Sequence, residues 1–90
     1  MPSRYSAPYA STITDGVRRE YAGMVSAVDE LLGNLTAALK RTAMWQSSVF
    51  VVSGDNGGWV GYGGLNSPYR GHKTTLWEGG VRAIQSRHRL

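Results

Sequence analysis

The stretch Val49-Phe-Val-Val-Ser-Gly-Asp-Asn-Gly-Gly58 decides the fold of this chain. Its nearly continuous apolar run predicts a short strand that is covered on both faces. The two glycines let the backbone turn away, which leaves Asp55 and Asn56 at the carboxyl edge of the strand, where open α/β sheets bind ligands. Both side chains offer oxygen, the ligand that hard cations such as calcium and magnesium prefer. The stretch predicts part of a metal site, and its Asn-Gly pair also fits a plain turn.

An amphipathic helix is predicted before the strand. Thr14 or Asp15 can cap it, and apolar residues then recur every three or four positions, which indicates one buried face. These residues are Val17, Tyr21, Met24, Val25, Val28, Leu31, Leu32, Leu35 and Leu39. The sequon Asn34-Leu-Thr36 predicts N-glycosylation at Asn34 on the exposed side of this helix. Residues 1–13, rich in Pro, Ser, Tyr and Ala, are expected to form an extended lead-in.

A helix followed by a buried strand is half of a βαβ unit. One strand cannot make a sheet, so its partner strands are expected outside these 90 residues. Residues 54–71 contain seven glycines and predict a long loop, and such loops are usually functional or disordered. The basic and polar residues 83–90 predict no strand.

Lys73 is the second candidate for a functional side chain. It follows the glycine-rich loop and has the basic neighbours Arg70 and His72, and a lysine presented in this way suits a sulfate or phosphate oxygen. The alternative is an ordinary solvated lysine, which is the usual environment of this residue type. Neither interpretation is decided by the spacing alone.

Composition excludes several classes of protein. The chain has no cysteine, so disulfides and zinc–thiolate sites are excluded. It has no run of about 18 apolar residues, so no transmembrane segment is expected, and residues 1–8 do not resemble a signal peptide. The net charge of +4 is spread along the chain, and no nucleic-acid-binding module is recognisable, so no nucleic-acid partner is expected.

Three blocks of sequence, residues 21–39, 49–58 and 68–82, closely resemble the type I sulfatases, and specifically the arylsulfatase B group with its I and J relatives. This resemblance implies an α/β fold of the alkaline-phosphatase type around a large mixed sheet. It implies a bound calcium ion and a formylglycine that hydrolyse sulfate esters of small molecules or glycosaminoglycan-like chains. Asp55 and Asn56 match calcium ligands of the family, and Lys73 matches the lysine that contacts the substrate sulfate. A lysosomal or secreted location is implied too.

The chain departs from the family pattern in several places. The Cys-x-Pro-Ser-Arg motif that yields the formylglycine is absent, and so is the first pair of calcium ligands. We therefore expect residues 1–82 to be part of a sulfatase catalytic domain, followed by a divergent basic tail at 83–90, and we expect the chain alone to be inactive. Two alternatives remain: a non-catalytic remnant that binds a partner or a sulfated anion, and a related hydrolase that acts on phosphate esters.

Overall fold

The computed structural model describes residues 2–88. Short helices and two strands flank one long helix in this part of the chain. In chain order the elements are α1 (Ser3–Ser6), α2 (Gly16–Arg41), β1 (Phe50–Ser53), α3 (Glu78–Val81) and β2 (Gln85–His88), and 3₁₀ turns occur at Ala7–Tyr9, Trp45–Ser47 and Val60–Tyr62. Among these residues, no helix combines the length and the apolar character that crossing a membrane requires.

The predicted amphipathic helix is confirmed as α2, which is 26 residues long. Asp15 provides the N-cap, because its carboxylate accepts a hydrogen bond from the Arg18 N–H (2.6 Å). Lys40 and Arg41 occupy the last turn, where positive charge complements the helix dipole. The Arg18 guanidinium also donates to the Gly63 carbonyl, and this bond ties the start of α2 to the glycine-rich loop.

The expectation of an extended lead-in is wrong. Residues 3–9 form α1 and a 3₁₀ turn that pack back along α2. Ser6 is buried against Gly23, where a Cβ would lie only 3.1 Å from the Ser6 side chain, and the Tyr9 hydroxyl bonds to the Ser26 hydroxyl (2.6 Å). Pro8 does not prevent this, because proline is tolerated in the first turn of a helix. The missing side chain of Gly23 is what lets the two helices approach.

The two strands pair antiparallel, with Phe50 opposite His88 and Ser53 opposite Gln85. This corrects two expectations, since the tail does form a strand and one partner of β1 lies within these 90 residues. The physical reason is that ladder hydrogen bonds join backbone groups, so a polar segment can pair as well as an apolar one. Met1, Arg89 and Leu90, which belong to the predicted domain and tail, lie outside the described residues.

The apolar faces of α2 and β1 stay open in the described part of the chain. No hydrophobic side chain among residues 2–88 is fully buried, and Val51 is 54% exposed, so β1 is not covered on both faces as predicted. The stripe of α2 is only partly covered, and its exposed members are Val17, Met24, Val25, Val28, Leu31 and Leu35. The predicted buried face of the helix is therefore an uncovered apolar surface here.

Candidate active site

Two side chains that carry oxygen follow the carboxyl end of β1, as predicted. Asp55 is exposed and Asn56 is half-buried, and both follow the strand directly. The Asn56 amide nitrogen donates to the Gly57 carbonyl (2.9 Å), which fixes the orientation of the amide group. Within residues 2–88, neither the Asp55 carboxylate nor the Asn56 amide oxygen accepts a hydrogen bond. Both oxygens are therefore available to a cation.

Asp55 and Asn56 offer the oxygen donors that a hard cation prefers. Two such residues do not complete a cation site. Calcium takes six to eight oxygen ligands in proteins. No group of three or more His, Cys, Asp or Glu residues that could hold a metal occurs in the described part of the chain. Asp55 and Asn56 can thus supply part of a coordination shell.

Three segments of the chain, 55–58, 70–73 and α3, come together at this site through glycine residues. The Gly57 N–H donates to the Gly80 carbonyl (2.8 Å), and the Gly79 N–H donates to the Arg70 carbonyl (2.7 Å). A Cβ on Gly57 would overlap the Gly79 carbonyl, and a Cβ on Gly79 would overlap the Gly71 carbonyl. The segment 55–58, the loop at 70–73 and α3 therefore meet backbone to backbone, which only glycine permits.

Lys73 lies in a tight turn, residues 72–75, that contacts segment 55–58. Its N–H donates to the Gly58 carbonyl (3.3 Å), so its backbone is in direct contact with the segment that carries Asp55. Thr75 fixes the turn from the other end, because its hydroxyl accepts from the His72 N–H (3.0 Å) and donates to the His72 carbonyl (2.7 Å). Thr74 has φ +77°, an unusual value for a β-branched residue.

The two basic neighbours of Lys73 are engaged elsewhere. The Arg70 guanidinium lies over the Trp77 ring, 3.9 Å from its centroid. The His72 Nδ1 lies 2.7 Å from the Lys73 carbonyl, within hydrogen-bond distance. The Lys73 side chain is exposed, and in the described residues it forms no ion pair. Lys73 is therefore a cation that is available to an anion.

Two further residues complete the account of the sequence predictions. Asn34 is exposed on α2, as expected, and its glycosylation stays a prediction. Asn66 is a residue that the sequence analysis missed: its amide bonds to both backbone groups of Gly58. The only signal for it in the sequence is an asparagine inside a glycine-rich loop, and turn residues of that kind are common.

Comparison with known proteins decides the family. The family model described as Sulfatase matches residues 1–83. The chain belongs to the sulfatase family. It is 48% identical over 83 residues to arylsulfatase J of Mus musculus, a match that covers 92% of this chain and 14% of that protein. It also superimposes, with a TM-score of 0.91 and 33% identity, on a crystal structure of Ps i-CgsB in complex with k-i-k-neocarrahexaose, covering 97% of this chain and 19% of that one.

These matches confirm the resemblance drawn from the three sequence blocks. The family and the structural neighbour fit the predicted alkaline-phosphatase-like α/β fold. The chain spans only 14% of the mouse relative's length. The division into residues 1–82 and a tail at 83–90 stays a prediction, and so do the roles of Asp55, Asn56 and Lys73.

Proposed function

We propose that Asp55, Asn56 and Lys73 form part of the active site of a calcium-dependent sulfate ester hydrolase of the arylsulfatase type. The observation that carries the proposal is the hydrogen bond from the Lys73 N–H to the Gly58 carbonyl. It joins the turn that presents an exposed ammonium group to the segment that presents the free oxygens of Asp55 and Asn56. A cation ligand pair beside a lysine is an arrangement suited to an anionic ester.

The residues have distinct roles in this proposal. Asp55 and Asn56 would hold calcium, which when bound would neutralise charge on the sulfate oxygens. Lys73 would donate a hydrogen bond to a sulfate oxygen and stabilise the charge that develops during ester cleavage. The 90 residues contain no Cys-x-Pro-Ser-Arg motif. We therefore propose that they bind the sulfate group and do not turn it over by themselves.

The substrate class and the location follow from the relatives. The structural neighbour was crystallised with k-i-k-neocarrahexaose, and the mouse relative is named an arylsulfatase, which supports a sulfated saccharide or another sulfated small molecule as substrate. The net charge of +4 suits such anions. A lysosomal or secreted location is proposed from the family, and the exposed Asn34 is compatible with it.

The test compares the 90-residue chain with a complete sulfatase domain that carries it. Hydrolysis of an aryl sulfate is measured with calcium and with a chelator, for the wild type, for Lys73→Ala and for Lys40→Ala. Lys40→Ala is the matched control, since it removes the same side chain at the far end of α2. We expect calcium-dependent turnover by the complete domain alone, with a raised KM and a lowered kcat in Lys73→Ala only.

Other outcomes would contradict this function. Turnover by the isolated chain would show that the 90 residues hold a complete centre. Hydrolysis of a phosphate monoester in preference to the sulfate ester would favour the related phosphate hydrolase. Sulfate binding without turnover by the complete domain would favour a non-catalytic anion-binding protein.

A further inference from the structure

Asn66 makes an unusual set of contacts in the glycine-rich loop. Its amide oxygen accepts a hydrogen bond from the Gly58 N–H (2.8 Å), and its amide nitrogen donates to the Gly58 carbonyl (2.9 Å). The same nitrogen donates to the Gly71 carbonyl (3.3 Å). A carboxamide has two donor hydrogens and an acceptor oxygen, so these bonds use both of its polar atoms. One side chain thus holds two separate loop segments.

Gly58 is the point at which these contacts meet the active-site residues. Its carbonyl accepts a second hydrogen bond, from the Lys73 N–H (3.3 Å), and Gly58 follows Asn56 by two residues. Its other side is enclosed, since a Cβ on Gly58 would lie 3.2 Å from the Gly64 Cα and 3.5 Å from the Tyr21 hydroxyl. The position of this peptide therefore depends on Asn66 on one side and on backbone packing on the other.

We propose that Asn66 is a positioning residue that holds the calcium-binding segment 55–58 and the lysine-bearing turn 72–75 in a fixed relation. This inference rests on the proposed function. Asn66 touches neither the cation nor the sulfate in this scheme. It acts through Gly58 on Asp55 and Asn56, and through Gly58 and Gly71 on Lys73.

The distinctive variant is Asn66→Asp. A carboxylate has the same shape and still accepts from the Gly58 N–H, but it cannot donate, so it would face the Gly58 and Gly71 carbonyl oxygens without a hydrogen between them. Substitution of a residue that orients metal ligands typically lowers metal affinity or activity by about 10- to 100-fold. The matched control is Gln46→Glu, an amide-to-carboxylate change at an exposed position in the 3₁₀ turn Trp45–Ser47.

The experiment uses a complete sulfatase domain that carries this chain. Calorimetry gives the affinity for calcium, and the affinity for inorganic sulfate with and without calcium, while KM and kcat are measured on an aryl sulfate. We expect Asn66→Asp to weaken calcium binding by about tenfold or more and to raise KM. Calcium should also increase the affinity for sulfate less in this variant than in the wild type. Gln46→Glu is expected to stay within about twofold of the wild type in each quantity, as exposed substitutions usually do.

A merely structural role would give a different result. In that case Asn66→Asp would lower the unfolding temperature and leave the calcium affinity and the effect of calcium on sulfate binding unchanged, which overturns the proposal. If Asn66→Asp does not yield folded protein, Asn66→Gln is judged by the same quantities, because it keeps both polar groups and displaces them by one methylene. A wild-type domain that binds calcium and hydrolyses no sulfate ester would refute the proposed function, and the calcium affinities would still decide the role of Asn66.

Discussion

Gly57 and Gly79 lie so close together that no side chain fits between them. A Cβ on Gly57 would overlap the carbonyl group of Gly79, and neither backbone can yield, because Gly79 is itself packed against the Gly71 carbonyl. We predict that Gly57→Ala destabilises a complete sulfatase domain by roughly 1–3 kcal/mol, as overpacking does. Activity should fall with it, since one displaced segment carries Asp55 and the other, α3, bonds to the loop 70–73 that carries Lys73. Urea unfolding and turnover measured on the same preparation test this.

Gly33→Ala is the control for Gly57→Ala, and the opposite effect on stability is expected. Gly33 lies inside α2, and a Cβ there meets no atom within 4 Å. Alanine is favoured over glycine in a helix interior by about 1 kcal/mol, so the free energy of unfolding should rise by about that amount while KM and kcat stay unchanged. A destabilising Gly33→Ala would show that this face of α2 is covered in the complete domain.

Thr75→Val tests the turn that presents Lys73. Valine keeps the shape of threonine and removes the hydroxyl, so the half-buried His72 N–H loses its partner, while the His72 carbonyl keeps the hydrogen bond from the Thr75 N–H (3.0 Å). Leaving such a group unpaired costs about 1–3 kcal/mol. We predict a higher KM for an aryl sulfate and an unchanged calcium affinity, because Thr75 does not contact segment 55–58. A calcium affinity that falls together with KM would contradict this separation. Thr75→Ser, which keeps the hydroxyl, should restore KM.

Thr74→Gly tests whether the backbone of the same turn is strained. Thr74 has φ +77°, and left-handed backbone costs an L-residue about 1–2 kcal/mol. Glycine removes that cost and adds about 0.5–1 kcal/mol of chain entropy. A small net gain in the free energy of unfolding is therefore expected, together with a higher KM, because a freer turn holds Lys73 less firmly. Loss of stability in Thr74→Gly would mean that the threonine side chain makes contacts that outweigh the strain.

Asp55→Asn tests the metal ligands directly. The amide keeps an oxygen in place and removes the negative charge, and ligand charge is one of the properties that set calcium affinity. We predict about tenfold weaker calcium binding by calorimetry. Asp29→Asn, at an exposed position on α2, is the matched control and should bind calcium as the wild type does. Equal affinities in the two variants would remove Asp55 from the metal site.

The sequence predicts elements whose cause is local. The apolar spacing and the Asp15 cap predict α2, and the run from Val49 ending in Asp55 and Asn56 predicts β1 with its oxygen ligands at the carboxyl end. Each depends on periodicity or on a residue's own chemistry, so each can be recognised without knowledge of distant contacts. The three blocks that resemble the sulfatases imply a sulfate-binding role for Lys73, which stays a prediction and which spacing alone left undecided.

The features that were missed depend on contacts between distant residues. Strand β2 forms because its backbone lies beside β1, and the polar side chains of Gln85 and Ser86 give no sign of it. The fold of the first residues depends on Gly23, which reads in the sequence only as a weak point in a helix. Asn66 acquires its role when the loop closes onto Gly58, and loop closure leaves no periodic pattern in the sequence.

The open apolar faces of α2 and β1 have a consequence for any work with the isolated segment. Aliphatic surface that is left in water favours association, so copies of the segment would bind one another through these faces. Folding would then be linked to oligomerisation by mass action, and the midpoint of an unfolding curve would move with protein concentration. A melting temperature of the isolated segment therefore has meaning only together with the concentration at which it was measured.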